Sequence, residues 1–233
     1  MPTEPEQLLK NYIRAVAKAR ARTQRQIETV FDSLGSYNES DLLVFTKRIS
    51  PLLTAVHVET SAMAKASISK PGLIVAAPEF VEARQAFIPI WRDLARGVQW
   101  SDAVATGRGL AGALATEQST EASRDVMRQV APSTPHRRVP FGATCNYCIA
   151  LSTRRYHSFD TAEAASHKNC DCEIRPIEGG DPGALINRET YKAWKEAQKV
   201  ADGEKPPRYF DAETLEPLTS AAGQTSARRR RSR

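Results

Sequence analysis

The chain has 233 residues, 41 % apolar and 26 % charged, and its 33 Lys and Arg against 27 Asp and Glu leave a net charge of +6. That length holds one moderate domain or two small ones. No run of about twenty uncharged apolar residues occurs, which excludes a transmembrane helix, and MPTEPEQLLK has neither the basic start nor the apolar core of a signal peptide.

Residues 7–34 read as a long helix. Leu9, Tyr12, Ile13, Val16, Ala19, Thr23, Ile27, Val30, Phe31 and Leu34 recur at steps of three and four and so share one face, with Lys10, Arg14, Lys18, Arg22 and Arg25 opposite. Such a basic face is more often solvated than bound to phosphate. Gly35 to Asn38 stop the helix, and Ser36 and Asn38 are candidate caps for the next. That second helix covers about Ser40 to Ala66 on a stripe of Leu42, Phe45, Ile49, Leu52, Leu53, Val56 and Met63. Pro51 is expected to kink or split it, because proline removes a hydrogen bond and clashes with the preceding turn. His57 has no partner at ligand spacing and reads as structural or surface.

Lys70-Pro71-Gly72 is a turn, Leu73–Ala76 a candidate extended segment, and Pro78 a suitable first residue for a third helix to about Ile88. Pro89 is expected to interrupt that helix before Ile90, Trp91, Leu94 and Val98 resume the pattern, with Trp91 and Trp100 as buried anchors. Residues 101–130 remain helix-like. Gly107, Gly109 and Gly112 either let helices approach closely there or break the helix, and composition alone does not choose. The whole helical part is modest in bulky apolar residues, as a component that leans on neighbouring subunits would be.

Ala131 to Arg138, with two prolines, is the clearest boundary. A short strand over 139–143 leads to one or two helical turns over 148–156 and another over 161–167, and Cys172–Pro176 reads as a strand. Asn187–Val200 is a last helix with Tyr191, Trp194 and Ala197 inward, and the chain after Asp202 reads as a loosely held tail. The expected fold is therefore an α-rich region over 1–130, a linker over 131–140, a small α+β module with a Cys/His cluster over 141–200, and a flexible basic tail over 201–233.

All four cysteines fall in Cys145-x2-Cys148 and His167-x2-Cys170-x-Cys172. Thiolates and imidazole suit Zn²⁺, so a structural zinc site is the leading reading, with Cys145, Cys148 and His167 as ligands. Cys172 or Cys170 supplies the fourth, since residues two apart on a strand point to opposite faces. Reduced packed cysteines and disulfides are the other readings, and His157 is a weaker ligand. A thiol–imidazole pair of Cys145 or Cys148 with His157 or His167, helped by Asp160 or Asp171, is the catalytic alternative. H-E-x-x-H, G-x-S-x-G, G-x-G-x-x-G and Walker motifs do not occur, so no enzyme activity is expected.

The order VPFGATCNYC, Tyr156, SHKNCDCEIRP and a following helix resembles the MuF-like minor capsid (minor head) proteins of tailed bacteriophages, particularly the actinobacteriophage type. The resemblance rests on Cys145, Cys148, His167, Cys170, Cys172 and Pro176 and covers roughly residues 139–177. It implies a MuF-like module in a low-copy structural protein of the virion. Such a protein is made in the host cytoplasm and sits inside the capsid near the portal, with portal or major capsid protein as partner. Some relatives carry the label of capsid maturation protease, which makes a cysteine- or zinc-dependent hydrolase the alternative. Arg228, Arg229, Arg230, Arg231 and Arg233 form a terminal run suited to salt-dependent, sequence-independent contact with double-stranded DNA phosphates. No membrane partner is expected.

Overall fold

A computed structural model of the chain describes residues 4–68, 73, 75, 83–130, 132, 134–140, 143–165, 172–177, 181–199, 209–211 and 217–218. Among them, helices α1 (Glu4–Asp32) and α2 (Glu39–Ser67) are followed by a single 3-10 turn (Ala83–Ala86), α3 (Ile88–Ala95) and α4 (Trp100–Val130). Strands β1 (His136–Val139) and β2 (Ala143–Cys145), helix α5 (Asn146–Ser152), β3 (Arg155–Tyr156), α6 (Phe159–Ala164), β4 (Glu173–Pro176), α7 (Pro182–Ala197), β5 (Tyr209–Asp211) and β6 (Pro217–Leu218) complete the order. The three long helices begin and end within a few residues of where their apolar stripes place them. No described helix is long and apolar enough to cross a membrane.

The described residues fall into two compact units. One takes residues 18–60 and 83–122; the other takes 4–17, 61–68 and the described residues from 123 on. The first unit is purely helical. Its core joins Ile27, Phe31 and Leu34 of α1, Phe45, Ile49 and Leu53 of α2, Phe87 and Ile90, and Ala103, Ala111, Leu114 and Ala115 of α4. Phe31, Phe45 and Phe87 form an aromatic triangle with ring centroids 5.5, 5.6 and 5.8 Å apart. This core is bulkier than the composition of the helical part led us to expect.

The α1–α2 turn is closed by side chains. Asn38 accepts from the Asp41 backbone N–H at 2.9 Å, which caps α2. The Asp41 carboxylate reaches back to the backbone N–H groups of Ser36 and Tyr37 at 2.9 and 2.7 Å. Tyr37 therefore holds a left-handed φ of 51°, and its carbonyl accepts from the Trp91 indole at 2.6 Å. Asn38, and not Ser36, is the cap.

Several local expectations change. Pro51 lies inside an unbroken α2, so the bond it removes does not end the helix. Pro89 starts α3, since a first-turn N–H needs no intrahelical partner. Gly97 at φ 74° ends it, donating to Leu94 O while Val98 N–H donates to Asp93 O, a Schellman closure. Helix α4 runs unbroken through its glycines. A Cβ on Gly107 would lie 2.4 Å from Ile90 Cδ1 and 2.8 Å from Ala86 O, so close approach is that glycine's purpose. Trp91 is partly buried, but Trp100 is 48 % exposed and only lies beside the Tyr37 ring. Pro78, the 70–72 turn and most of Leu73–Ala76 lie outside the described residues.

The second unit carries a three-stranded antiparallel sheet in the order β3-β1-β4 and a smaller one in the order β2-β5-β6. Residues read as a linker supply the central strand: His136 pairs with Tyr156 on one side and Pro176 on the other, and Val139 pairs with Glu173. The prolines precede that strand, where a missing N–H costs no ladder bond. Helix α7 begins earlier than Asn187, at Pro182, behind an Asp181 cap.

Candidate functional site: a cysteine cluster and its polar frame

Cys145 ends β2 and is the N-cap residue of α5 with extended φ/ψ of −91° and 161°. Its backbone pairs with Tyr209 of β5. Three residues on, Cys148 falls on the first turn of α5 and turns inward, 3 % exposed. Cys172 directly precedes β4, whose four residues are hydrogen-bonded to β1, and is 2 % exposed. The three side chains pack against one another, and no disulfide links them. Sequence-distant thiols are thus gathered by a strand end, a helix start and a strand start. His167 and Cys170, the other two candidate ligands, lie outside the described residues. Among the described residues no group of three or more His, Cys, Asp or Glu is placed to hold a metal ion, the three packed cysteines included; what is described is thiol packing.

Tyr156 lies within electrostatic reach of the cluster. Burial pushes its phenol above the ordinary tyrosine range; Arg138 and Arg154 pull it down, and Tyr147 and Cys172 push it up. The alternative catalytic partners are placed differently: His157 and Asp160 are exposed while Cys148 and Cys172 are buried. His57 is 2 % exposed, its Nδ1 2.9 Å from the Gln118 amide, a structural histidine.

A frame of buried polar groups holds the strands that carry the cysteines. Arg138 of β1 is fully buried and donates to the Ala162 carbonyl of α6 at 3.1 Å. Asn187 of α7 donates to the carbonyls of Arg138 and Ser152 at 2.7 and 2.6 Å, which ties α7 to β1 and to the end of α5. Glu173, 1 % exposed at the start of β4, accepts from Ser123 Oγ, which itself accepts from the Tyr12 hydroxyl at 2.9 Å. The Arg175 guanidinium stacks 3.9 Å from the Tyr12 ring centroid and donates to Ser67 Oγ at 2.7 Å. Arg137 grips the Asp181 carboxylate, with a shortest contact of 2.7 Å.

None of these framing residues stood out in the sequence, where HRR belongs to a linker and EIRP to a strand that alternates outward and inward. The usable signal was the alternation of charge with Val139 and Ile174 on strands too short to leave a charged face in water. In α1, Lys10 pairs with Glu189 at 3.4 Å and Arg22 with Glu59. The five arginines of the terminal run lie outside the described residues.

No curated protein and no solved structure matches the chain. A family model described as VG15 protein matches residues 74–197. The match takes in α3, α4, the β3-β1-β4 sheet, all three packed cysteines and α7, which is more than half of the 233 residues. Cys145, Cys148 and Cys172 therefore lie inside the matched segment with most of their frame, Tyr12 and Ser67 lying outside it, and the chain belongs to the VG15 protein family, a phage-associated family.

Proposed function

We propose that this phage protein is a minor structural component of the head, held inside the capsid near the portal, with its cysteine module serving as a brace. The observation that carries the reading is the mutual packing of Cys145, Cys148 and Cys172 from three separate segments. These three cysteines belong to the C-x2-C and C-x-C pairs on which the likeness to MuF-like minor head proteins rests. A Zn²⁺ ion suits this donor set, with Cys145, Cys148, Cys172 and His167 as ligands and Cys170 as the substitute for the fourth. Zinc there would cross-link the end of β2, the start of α5 and the start of β4, which is a folding role and needs no open coordination position. Portal or major capsid protein is the partner, and the arginine run at 228–233 adds contact with packaged double-stranded DNA.

The test is sedimentation of purified particles from infected cells, with the protein followed by antibody. Low-copy retention in portal-containing heads, and its loss in portal-less heads, is the expected result. A protein that stays in the soluble fraction at every stage of head assembly overturns the reading.

A further inference from the structure

Helix α7 has two chemically opposite faces. The inner face is pinned: Ile186, Asn187 and Thr190 are 6 %, 2 % and 0 % exposed, and Asn187 is hydrogen-bonded to two backbone carbonyls of other elements. Trp194 adds a bond from its indole N–H to Asn146 Oδ1 at 2.9 Å. A helix fixed in this way presents its outer face at a defined rotation. Arg188, Lys192 and Lys195 are exposed there, at steps of four and three. Such steps place them within about 60° of arc and over roughly 10 Å of helix length.

The acids of α7 do not neutralise this stripe. Glu189 is engaged by Lys10 of α1, and Glu196 by Lys199 at 2.9 Å. Among the described residues no carboxylate pairs with Arg188, Lys192 or Lys195; Lys195 instead lies 5.6 Å from the Tyr191 ring. The result is a linear cationic stripe on a rigid support, with no compensating carboxylate among the described residues.

We propose that this outer face of α7 binds the phosphate backbone of duplex DNA without regard to sequence. Two kinds of polyanion could meet such a stripe, an acidic protein surface or a nucleic acid. A protein interface builds its centre from apolar and aromatic side chains and is depleted of charge there. Among the described residues, the large exposed apolar side chains include none from α7. Phosphate contact needs only positioned cations, and its strength comes from released counterions. The binding is argued from α7 alone; the choice of duplex DNA as its natural polymer rests on the phage-head reading.

The experiment measures binding of the full chain to two unrelated 30-base-pair duplexes between about 50 and 200 mM salt. The comparison is with the variant Arg188→Gln/Lys192→Gln/Lys195→Gln. Three lost phosphate contacts at about 0.9 each should lower the slope of log K against log salt by roughly 2–3, equally for both duplexes. The charge-conserving variant Arg188→Lys/Lys192→Arg/Lys195→Arg should keep the wild-type slope. An unchanged slope in the glutamine variant overturns the proposal, as does an equal loss in the charge-conserving variant. So does a glutamine variant that loses binding to poly-glutamate but not to DNA. Co-sedimentation of the glutamine variant with heads separates this test from that of the proposed function: retention in heads with an unaltered slope sinks the stripe alone. A chain absent from heads whose slope still falls sinks only the head assignment.

Discussion

The guanidinium of Arg137 and the carboxylate of Asp181 form a clasp at the joint of α5, β1 and α7. Arg137 Nε lies 3.0 Å from both carboxylate oxygens and Nη2 lies 2.7 Å from one, while Nη1 reaches the carbonyls of Ser152, Thr153 and Arg154 at 3.3–3.4 Å. Asp181 meanwhile caps α7 from a left-handed φ of 56° and accepts from the Ala184 N–H at 3.2 Å. The side chains are 14 % and 21 % exposed, so water competes weakly for the pair.

Asp181→Asn should separate the two roles of that residue. Asparagine tolerates the left-handed backbone and still caps, so the loss isolates the ion pair, at about 1.5–3 kcal/mol for a charged hydrogen-bonded partner. Urea unfolding of the single and double variants with Arg137→Met gives the coupling energy, and additive single effects would show that the clasp is decorative.

Gly107→Ala should destabilise the chain although alanine favours helix by about 1 kcal/mol. The new methyl group would overlap Ile90 and the Ala86 carbonyl, where overpacking costs about 1–3 kcal/mol. A thermal midpoint at or above wild type would mean that α4 and α3 can separate freely there.

Alkaline unfolding should carry the signature of two phenols, the buried Tyr37 and the partly buried Tyr156. Burial is the main cause that raises both Tyr37 and Tyr156 above the usual value near 10, with Asp32 and Asp41 adding to the rise at Tyr37. The folded state holds these protons more tightly than the unfolded one. Their stabilisation is therefore complete below pH of about 10 and disappears as pH climbs through the raised folded values. Tyr156→Phe and Tyr37→Phe should each flatten the fall in urea midpoint above pH 10; a slope identical to wild type would contradict this.

Metal removal gives a fourth test. Protein purified without chelator should carry about one zinc per chain, and a strong chelator should lower its thermal midpoint. Cys148→Ser should lose the ion and be insensitive to the chelator. Zinc-free protein whose midpoint ignores the chelator would leave the three thiols as ordinary packing.

The helices α1 and α2 were legible because their apolar residues keep step over about six or more turns, and α1, α2 and α4 end close to where the stripes of Leu9–Leu34 and Leu42–Met63 and the helix-like residues 101–130 end. Local stops were harder to read. Pro89 opens α3 because proline is as much a helix start as a break, and Gly97 rather than Pro89 sets the stop. Residues 136–139 read as part of a linker because Pro132 and Pro135 just before them dominate the pattern, whereas the strand is specified by partners 18 to 40 residues away. The C-x2-C and the second cysteine pair were visible as a cluster, and three of those cysteines do meet. Their supports, Arg138, Glu173 and Arg175, were not visible, because burial of a charge depends on acceptors such as the Ala162 carbonyl and on donors such as Ser123.

In the helical unit, Arg20 of α1 is 6 % exposed and donates to Ser119 and Thr120 of α4 at 2.8 and 3.1 Å, while Thr60 of α2 lies 3.1 Å from Ser119 Oγ. An all-apolar seam would tolerate one helix sliding along another by a turn, about 5.4 Å, with little change in buried area. This layer does not, because such a slide would strand a guanidinium in apolar surroundings, a loss of several kcal/mol. Arg20 thus acts as an alignment key between α1 and α4, and the Thr60–Ser119 contact extends that one longitudinal setting to α2.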